Sequence, residues 1–182
     1  LNVFENRDIR IVLPKDALFD NLDFQYGQFS NDSCKWSLMH QVHNVYTPLL
    51  KAYILSVRSS HLPAALHDKA LLATVGEHGK WISQGGAYKN GYVTAQVKTF
   101  GRFFITVDTV SPVIVPLAFR AGNRYTGDQV MTFKITDDLS GIRKYNGYID
   151  KKWALFEYEA KNDMLSYTLD ETRLERTRTH PV

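Results

Sequence analysis

Apolar and polar residues alternate in short runs along the whole chain, and this period of two predicts strands. The first run, residues 8–13 (DIRIVL), places Ile9, Ile11 and Leu13 on one face and Arg10 on the other. The pattern returns at 51–57, 69–75, 91–97 and 101–107, with polar or glycine-rich turn signals between the runs. Because the runs are short and no crossover helices separate them, they predict an antiparallel sandwich.

Residues 107–119 (VDTVSPVIVPLAF) form the predicted seam between two modules. Val107 ends a strand, and Pro112 both interrupts a hydrogen-bonded ladder and holds Ser111 in an extended conformation. A new strand follows directly, and further runs lie at 131–135, 145–149, 152–158 and 164–169. Because a short extended tether is typical between consecutive sandwich modules, we interpret this stretch as a domain boundary.

The predicted fold class is all-β, with two immunoglobulin-like antiparallel β-sandwich modules in tandem at residues 1–108 and 109–182. Strands should make up more than a third of the chain, and helix should be limited to a turn or two within 62–69, where Pro63 suits a first helical position. Five inward-facing apolar side chains are expected to be buried: Phe103, Ile105, Val107, Phe133 and Ile135.

Composition and charge narrow the classes of function. The 182 residues are 44% hydrophobic, and 22 Lys+Arg against 19 Asp+Glu leave a net charge of only +3. This balance argues against a nucleic-acid partner, and no apolar run reaches the ~20 residues that a membrane span needs. Cys34 is the single cysteine, so no internal disulfide can form, and we expect it to be a partly buried, small apolar side chain.

Two stretches carry a resemblance to a known family. VDTVSPVI at 107–114 and FKITDDLSGIRKYNGYIDKKWALFEYEAKNDMLSYTLD at 133–170 are similar to the tandem immunoglobulin-like segment that follows the catalytic domain in lysostaphin-type zinc metallopeptidases (metallopeptidase family twenty-three) of Bacteroidetes. The resemblance extends upstream through 18–30, 43–57 and 99–109. It implies an accessory β-segment of an enzyme that cuts peptidoglycan cross-bridges. It also implies a location in the cell envelope, the periplasm or outside the cell, with any export signal upstream of Leu1.

The zinc site of that family resembles H-x-x-x-D followed later by H-x-H, in which imidazoles and a carboxylate leave an open tetrahedral position. The histidines of this chain are His40, His43, His61, His67, His78 and His180. None of the first five has Asp four residues later, His180 lies too near the end, and no H-x-H occurs. We therefore transfer no catalytic residue, and we expect this segment to have no cofactor and no enzymatic activity of its own.

The residues suggest two further metal hypotheses. His40 and His43 could share a helical face, but the surrounding sequence favours a strand, in which a spacing of three separates them; polar surface histidines are the favoured interpretation. Asp137, Asp138 and Asp150 could supply oxygen ligands to calcium. The alternative is a turn capped by its own side chains, which Asp, Ser and Gly form readily.

Aromatic residues offer a binding hypothesis, because exposed ring faces stack on sugar rings and exposed clusters mark interaction sites. The candidate residues are Trp81, Tyr88, Tyr92 and Tyr148. The first three surround the glycine-rich loop 85–91, whereas Tyr148 faces away from Ile149 in the second module. Trp153 is expected in the core, since a Trp packed on the opposite sheet is common in immunoglobulin-like folds.

These observations leave two hypotheses of function. The leading one is a non-catalytic spacer or positioning segment of an exported cell-wall peptidase, with the catalytic domain in cis. The alternative is a glycan- or peptidoglycan-binding module that uses exposed aromatic residues. A free-standing hydrolase is disfavoured by the missing ligand spacing.

The resemblance also predicts that the second module lacks its last strands. The family continues into two more strands, whereas this sequence ends with LERTRTHPV at 174–182. We expect the inward faces of Phe133, Ile135 and Leu165 to be partly uncovered. The charged tail 171–182 is a poor substitute for two apolar strands, so self-association through the second module is expected.

Overall fold

The computed structural model of the chain describes residues 1–118, 120 and 129–169. About 47% of them lie in strands and 6% in helix, which confirms the predicted all-β fold. The backbone forms two compact units, Leu1–Thr109 and Val110–Val182. None of the helices in the described part of the chain is long and apolar enough to span a membrane.

The first unit contains ten strands, and every pairing between them is antiparallel. They are β1 (Asn2–Glu5), β2 (Ile9–Leu13), β3 (Tyr26–Phe29), β4 (Met39–Val42), β5 (Tyr53–Arg58), β6 (Ala70–Val75), β7 (Trp81–Gly85), β8 (Ala87–Lys89), β9 (Tyr92–Val97) and β10 (Gly101–Val107). Two short 3-10 helices, Ala64–Lys69 and Glu77–Gly79, lie between strands. One sheet has the order β1-β2-β5-β9-β8 and the other β3-β4-β10-β6-β7.

The core of the first unit lies between these two sheets. Alternate residues of β2, β5 and β9 are fully or almost fully buried, which is the pattern expected of strands with one inward face. From the other sheet, Val42, Leu72, Phe103 and Ile105 join the same cluster. The predicted burial of Phe103 and Ile105 is therefore confirmed, whereas Val107 is only half-buried because it is the last residue of β10.

The second unit contains six described strands in two antiparallel sheets. They are β11 (Val113–Pro116), β12 (Val130–Thr136), β13 (Gly147–Ile149), β14 (Lys152–Ala154), β15 (Glu157–Glu159) and β16 (Met164–Thr168). Four form a sheet with the order β11-β12-β16-β15, and β13 pairs with β14 alone. Residues 170–182, which include His180 and the charged tail, lie outside the described residues.

The two-stranded sheet of the second unit covers one face of the four-stranded sheet. Ile149 and Ala154 join a buried cluster with Ile135 and Leu165. The expectation that Ile135 and Leu165 would be partly uncovered is therefore wrong: they are 3% and 6% exposed. Two predictions concern Phe133: that its side chain is buried, and that its inward face is partly uncovered. The side chain is half-buried against this cluster.

Both edges of the four-stranded sheet carry features that oppose the addition of another strand. The Leu117 amide donates to the Thr132 carbonyl, so by alternation the backbone groups of Ile114 and Pro116 point away from β12. Pro116 has no N–H to offer at that edge, which is where sheets tolerate proline. At the opposite edge, the exposed Glu157 and Glu159 flank Tyr158 in β15, and charged edges discourage pairing.

Candidate functional site

The three aromatic candidates of the first unit do not form one surface. Trp81 lies on β7 in one sheet, whereas Tyr88 on β8 and Tyr92 on β9 lie in the other. The chain crosses between the sheets at Gly85 and Gly86, whose φ angles of 67° and 121° suit glycine. The three rings that the sequence places around 85–91 are therefore divided between the two sheets.

The rings of Trp81 and Tyr88 also have structural partners. The Trp81 ring meets the buried Phe104 ring edge-on, with 4.9 Å between the centroids. The Tyr88 ring stacks on the His67 ring at 3.6 Å and packs against the core of the first unit. Tyr92 is half-buried at the start of β9. Because the rings of Trp81 and Tyr88 contribute to packing, they are poor candidates for ligand contact.

Two aromatic side chains among the described residues of the second unit are more than half exposed. Tyr148 and Trp153 are 52% and 54% exposed, and they are direct partners across β13 and β14. The exposure of Tyr148 agrees with the sequence prediction, whereas the expected core position of Trp153 is wrong. Alternation explains the error, because Ala154, one residue further, is the side chain of β14 that enters the core.

The turn between β13 and β14 fixes how the two rings face each other. Asp150 and Lys151 form a two-residue turn in which both φ angles are positive, 50° and 62°, as in a type I′ hairpin. Such a turn makes Ile149 and Lys152 the hydrogen-bonded closing pair. Tyr148 and Trp153 are then a non-hydrogen-bonded pair, whose Cα atoms are ~4.5 Å apart and whose side chains approach most closely. We call residues 147–154 the aromatic hairpin.

A set of buried aromatic contacts holds the aromatic hairpin on the sheet. A Cβ atom at Gly147 would overlap the Phe156 ring, so only glycine lets that ring lie against the strand. Phe156 in turn stacks on Tyr167 with 5.1 Å between centroids, and its carbonyl accepts a hydrogen bond from the Tyr145 hydroxyl at 3.1 Å. The inner face of the hairpin is thus anchored, and its outer face carries the two exposed rings.

The calcium candidates do not assemble into a cation site. Asp137 Oδ1 accepts hydrogen bonds from the Leu139 amide at 3.0 Å and the Gly141 amide at 2.8 Å, so this carboxylate caps its own turn. Asp150 belongs to the turn of the aromatic hairpin, and Asp138 is exposed beside Asp137. In residues 1–118, 120 and 129–169, no group of three His, Cys, Asp or Glu side chains could hold a metal ion.

His40 differs from the polar surface residue that the sequence suggested. Its side chain is fully buried on the face of β4 that also carries Val42, and its Nδ1 lies 2.8 Å from the Tyr26 hydroxyl. Burial lowers the pKa of His40 from 6.5 to about 4, although the Coulombic effect of Asp8 opposes this shift. The surface interpretation failed because His40 lies on the same face of β4 as Val42, and that face is turned toward the core.

Neither His43 nor Cys34 forms a reactive site. His43 is half-buried, and its Nε2 lies 3.0 Å from the Thr47 hydroxyl. Cys34 is 9% exposed, and burial raises the pKa of its thiol. A raised pKa reduces the fraction of thiolate, the reactive form of cysteine.

Comparison with known proteins gives one finding. Residues 1–108, which end one residue before the end of the first unit, match the family described as Zu5-like domain. The aromatic hairpin lies outside the matched residues. Neither the curated proteins nor the solved structures contain a match to the chain.

Proposed function

The chain belongs to the Zu5-like domain family through residues 1–108, and we propose that it is a non-catalytic glycan-binding segment. Its contact surface in this proposal is the aromatic hairpin of the second unit. The observation that carries the proposal is the exposed cross-strand pair of Tyr148 and Trp153.

The exposure of both rings lowers the stability of the fold, and a binding role explains why the rings are nevertheless exposed. Tyr and Trp each bury roughly 150–250 Å² when they enter a core. At ~25 cal/mol per Å², leaving half of each ring in water forgoes roughly 2–3 kcal/mol of stabilisation per ring. Adjacent rings on an anchored hairpin instead give a preorganised apolar surface with polar edges, which suits the mixed apolar and hydroxylated faces of a sugar.

Pull-down by insoluble glycans tests the proposal. The wild type should bind insoluble peptidoglycan, chitin or cellulose, and Tyr148→Ala or Trp153→Ala should weaken binding to the same glycan about tenfold, because ~1.4 kcal/mol of lost stacking corresponds to a factor of ten. Tyr46→Ala is the matched control, since Tyr46 is 89% exposed in the first unit and has no part in the hairpin. Equal losses in all three variants, or no binding by the wild type, would contradict the proposal.

A second candidate is the spacer or positioning role in an exported cell-wall peptidase, with the catalytic domain in cis. The observation that favours it is the succession of two compact units of antiparallel sheet, joined at residues 109–112 by a tether that carries no charge. The gene sequence upstream of Leu1 tests this candidate. A domain with H-x-x-x-D and H-x-H spacing there would support it, and a different upstream domain would refute it. In this setting the segment would lie in the cell envelope, the periplasm or outside the cell.

Self-association through the second unit stays a prediction. The proline and glutamate residues at the edges of its four-stranded sheet argue against simple strand addition. Light scattering across a dilution series decides the question: a mass that falls with dilution supports self-association, and a constant monomer mass refutes it.

A further inference from the structure

Charges in the second unit are unevenly distributed along the chain. Residues 129–169 contain six Lys and Arg (134, 143, 144, 151, 152, 161) and six Asp and Glu (137, 138, 150, 157, 159, 163). Four of the six cations lie in 143–152, immediately before the aromatic hairpin and within it, whereas Asp150 is the only acidic residue of that stretch. The side chains of all four cations are exposed.

Two of these cations lie at the turn end of the aromatic hairpin. Lys151 is part of the turn, next to Asp150. Lys152 pairs with the buried Ile149, so its side chain leaves β14 on the face opposite to Trp153. It is exposed at the end of the strand, and the flexible four-carbon stem of lysine lets its ammonium group reach past the turn. The turn end therefore carries two mobile lysine ammonium groups against one aspartate.

We propose that the ligand of the aromatic hairpin is an anionic polysaccharide, one whose sugar rings carry carboxylate groups. This inference rests on the proposed glycan-binding function, and it adds the charge of the ligand. The rings of Tyr148 and Trp153 contact the apolar faces of the sugars, while Lys151 and Lys152 pair with the carboxylates. Exposed ion pairs are individually weak and are screened by salt, so the lysines select among glycans and the rings supply the common affinity.

The test compares two soluble glycans that share one backbone: polygalacturonate, whose carboxylates are charged, and its fully methyl-esterified form, whose ester groups are neutral. At low salt, affinity electrophoresis or titration should show roughly fivefold tighter binding of the acidic glycan, the amount expected from two exposed ion pairs. The preference should disappear at 0.5 M salt, where the Debye length is only ~4 Å.

Matched variants separate the contribution of charge from that of the rings. The double variant Lys151→Gln, Lys152→Gln should lose the preference and keep its binding of the neutral ester. The control Lys134→Gln, Lys161→Gln removes the same charge from exposed positions of the same unit and should keep the preference. Trp153→Ala should weaken binding of both glycans. Thermal melting of each variant confirms that it folds.

The outcomes distinguish this inference from the proposed function. Equal binding of both glycans, unaffected by the Lys151/Lys152 variant, would overturn the anionic ligand and leave glycan binding intact. Loss of preference in the Lys134/Lys161 control as well would also overturn it, because the effect would then follow net charge. If Trp153→Ala changes neither affinity, the proposed function fails as well. If the wild type binds neither glycan, the anionic ligand is overturned, and the pull-down with peptidoglycan, chitin or cellulose decides the proposed function separately.

Discussion

The buried His40 makes the stability of the first unit depend on pH. Its imidazole is fully buried on the core-facing side of β4, and burial lowers its pKa to about 4. In the unfolded chain the same group takes up its proton near pH 6.5. Between these values the unfolded state binds more protons than the folded state, so stability falls as the pH falls.

The hydrogen bonds around His40 explain why the neutral form is held. The Tyr26 hydroxyl donates to Gln28 Oε1 at 2.8 Å, so its oxygen can accept from His40 Nδ1–H at 2.8 Å. His40 Nε2 is buried and has no partner among the described residues. When the ring is neutral, with its proton on Nδ1, the Nε2 atom is a buried acceptor without a partner. Protonation of Nε2 would bury a charged ring with an unpaired donor, which costs much more free energy.

The expected magnitude follows from the two pKa values. A difference of ~2.5 units at 1.36 kcal/mol per unit gives about 3 kcal/mol. The loss should begin below pH 6.5, proceed at up to ~1.4 kcal/mol per pH unit, and be complete near pH 4. This is a substantial part of the 5–15 kcal/mol typical of a folded domain.

Urea unfolding at several pH values, followed through resolved NMR signals of the first unit, measures this loss. Acid also protonates carboxylates, so the relevant quantity is the difference between the wild type and His40→Gln, which keeps a side-chain donor near Tyr26 but cannot titrate. The exposed His78 offers a matched control in His78→Gln. If wild type and His40→Gln lose the same stability between pH 7 and pH 4, the burial of a neutral imidazole is refuted.

Two further predictions concern packing. Gly147→Ala should destabilise the second unit by about 1–3 kcal/mol, because its Cβ would overlap the Phe156 ring; thermal melting checks this against Gly27→Ala, whose Cβ would lie 3.9 Å from its nearest neighbour, and equal effects would refute it. Ser37→Ala should destabilise the first unit by about 1–3 kcal/mol, because the buried Ile105 amide donates to the Ser37 hydroxyl at 2.8 Å; denaturant unfolding measures the change, and a neutral substitution would show that another acceptor replaces the hydroxyl.

The strands that the sequence predicts well are those with one fully buried face. Alternation located β2, β5 and β9, which bury every second side chain, and β10, which contributes Phe103 and Ile105 to the same core. The short strands β1, β3, β7 and β8 were not predicted. They lie at sheet edges, where few side chains are buried and pairing with a distant partner, rather than local pattern, defines the strand.

The run 152–158 shows a second limit of local pattern. The sequence predicted one strand there, whereas the chain forms β14, leaves the ladder, and forms β15 in the other sheet. Phe156 lies in the break, buried over Gly147, and Leu155 beside it is 59% exposed. Because this packing depends on a glycine nine residues away, the run itself does not reveal it.

The sequence placed one of the two exposed rings of the candidate site correctly and the other wrongly. Alternation relative to Ile149 correctly placed Tyr148 outside, whereas a general preference of Trp for sandwich cores misplaced Trp153. The signal for the correct answer was present: a two-residue turn at Asp150 and Lys151 makes Trp153 the partner of Tyr148 and hence exposes both. The positions of Trp81 and Tyr88 depended on which sheet each strand joins, which the sequence does not state.

The most direct test of the account is a titration of glycan into the labelled protein, followed through the indole N–H signals. The chain has three tryptophans: Trp36 and Trp81 are half-buried in the first unit, and Trp153 is exposed on the aromatic hairpin. Stacking of a sugar on the proposed surface should shift the Trp153 indole signal and leave the signals of Trp36 and Trp81 in place. Saturable shifts confined to Trp36 or Trp81, or no shift of the Trp153 signal at saturating polygalacturonate, would contradict the account.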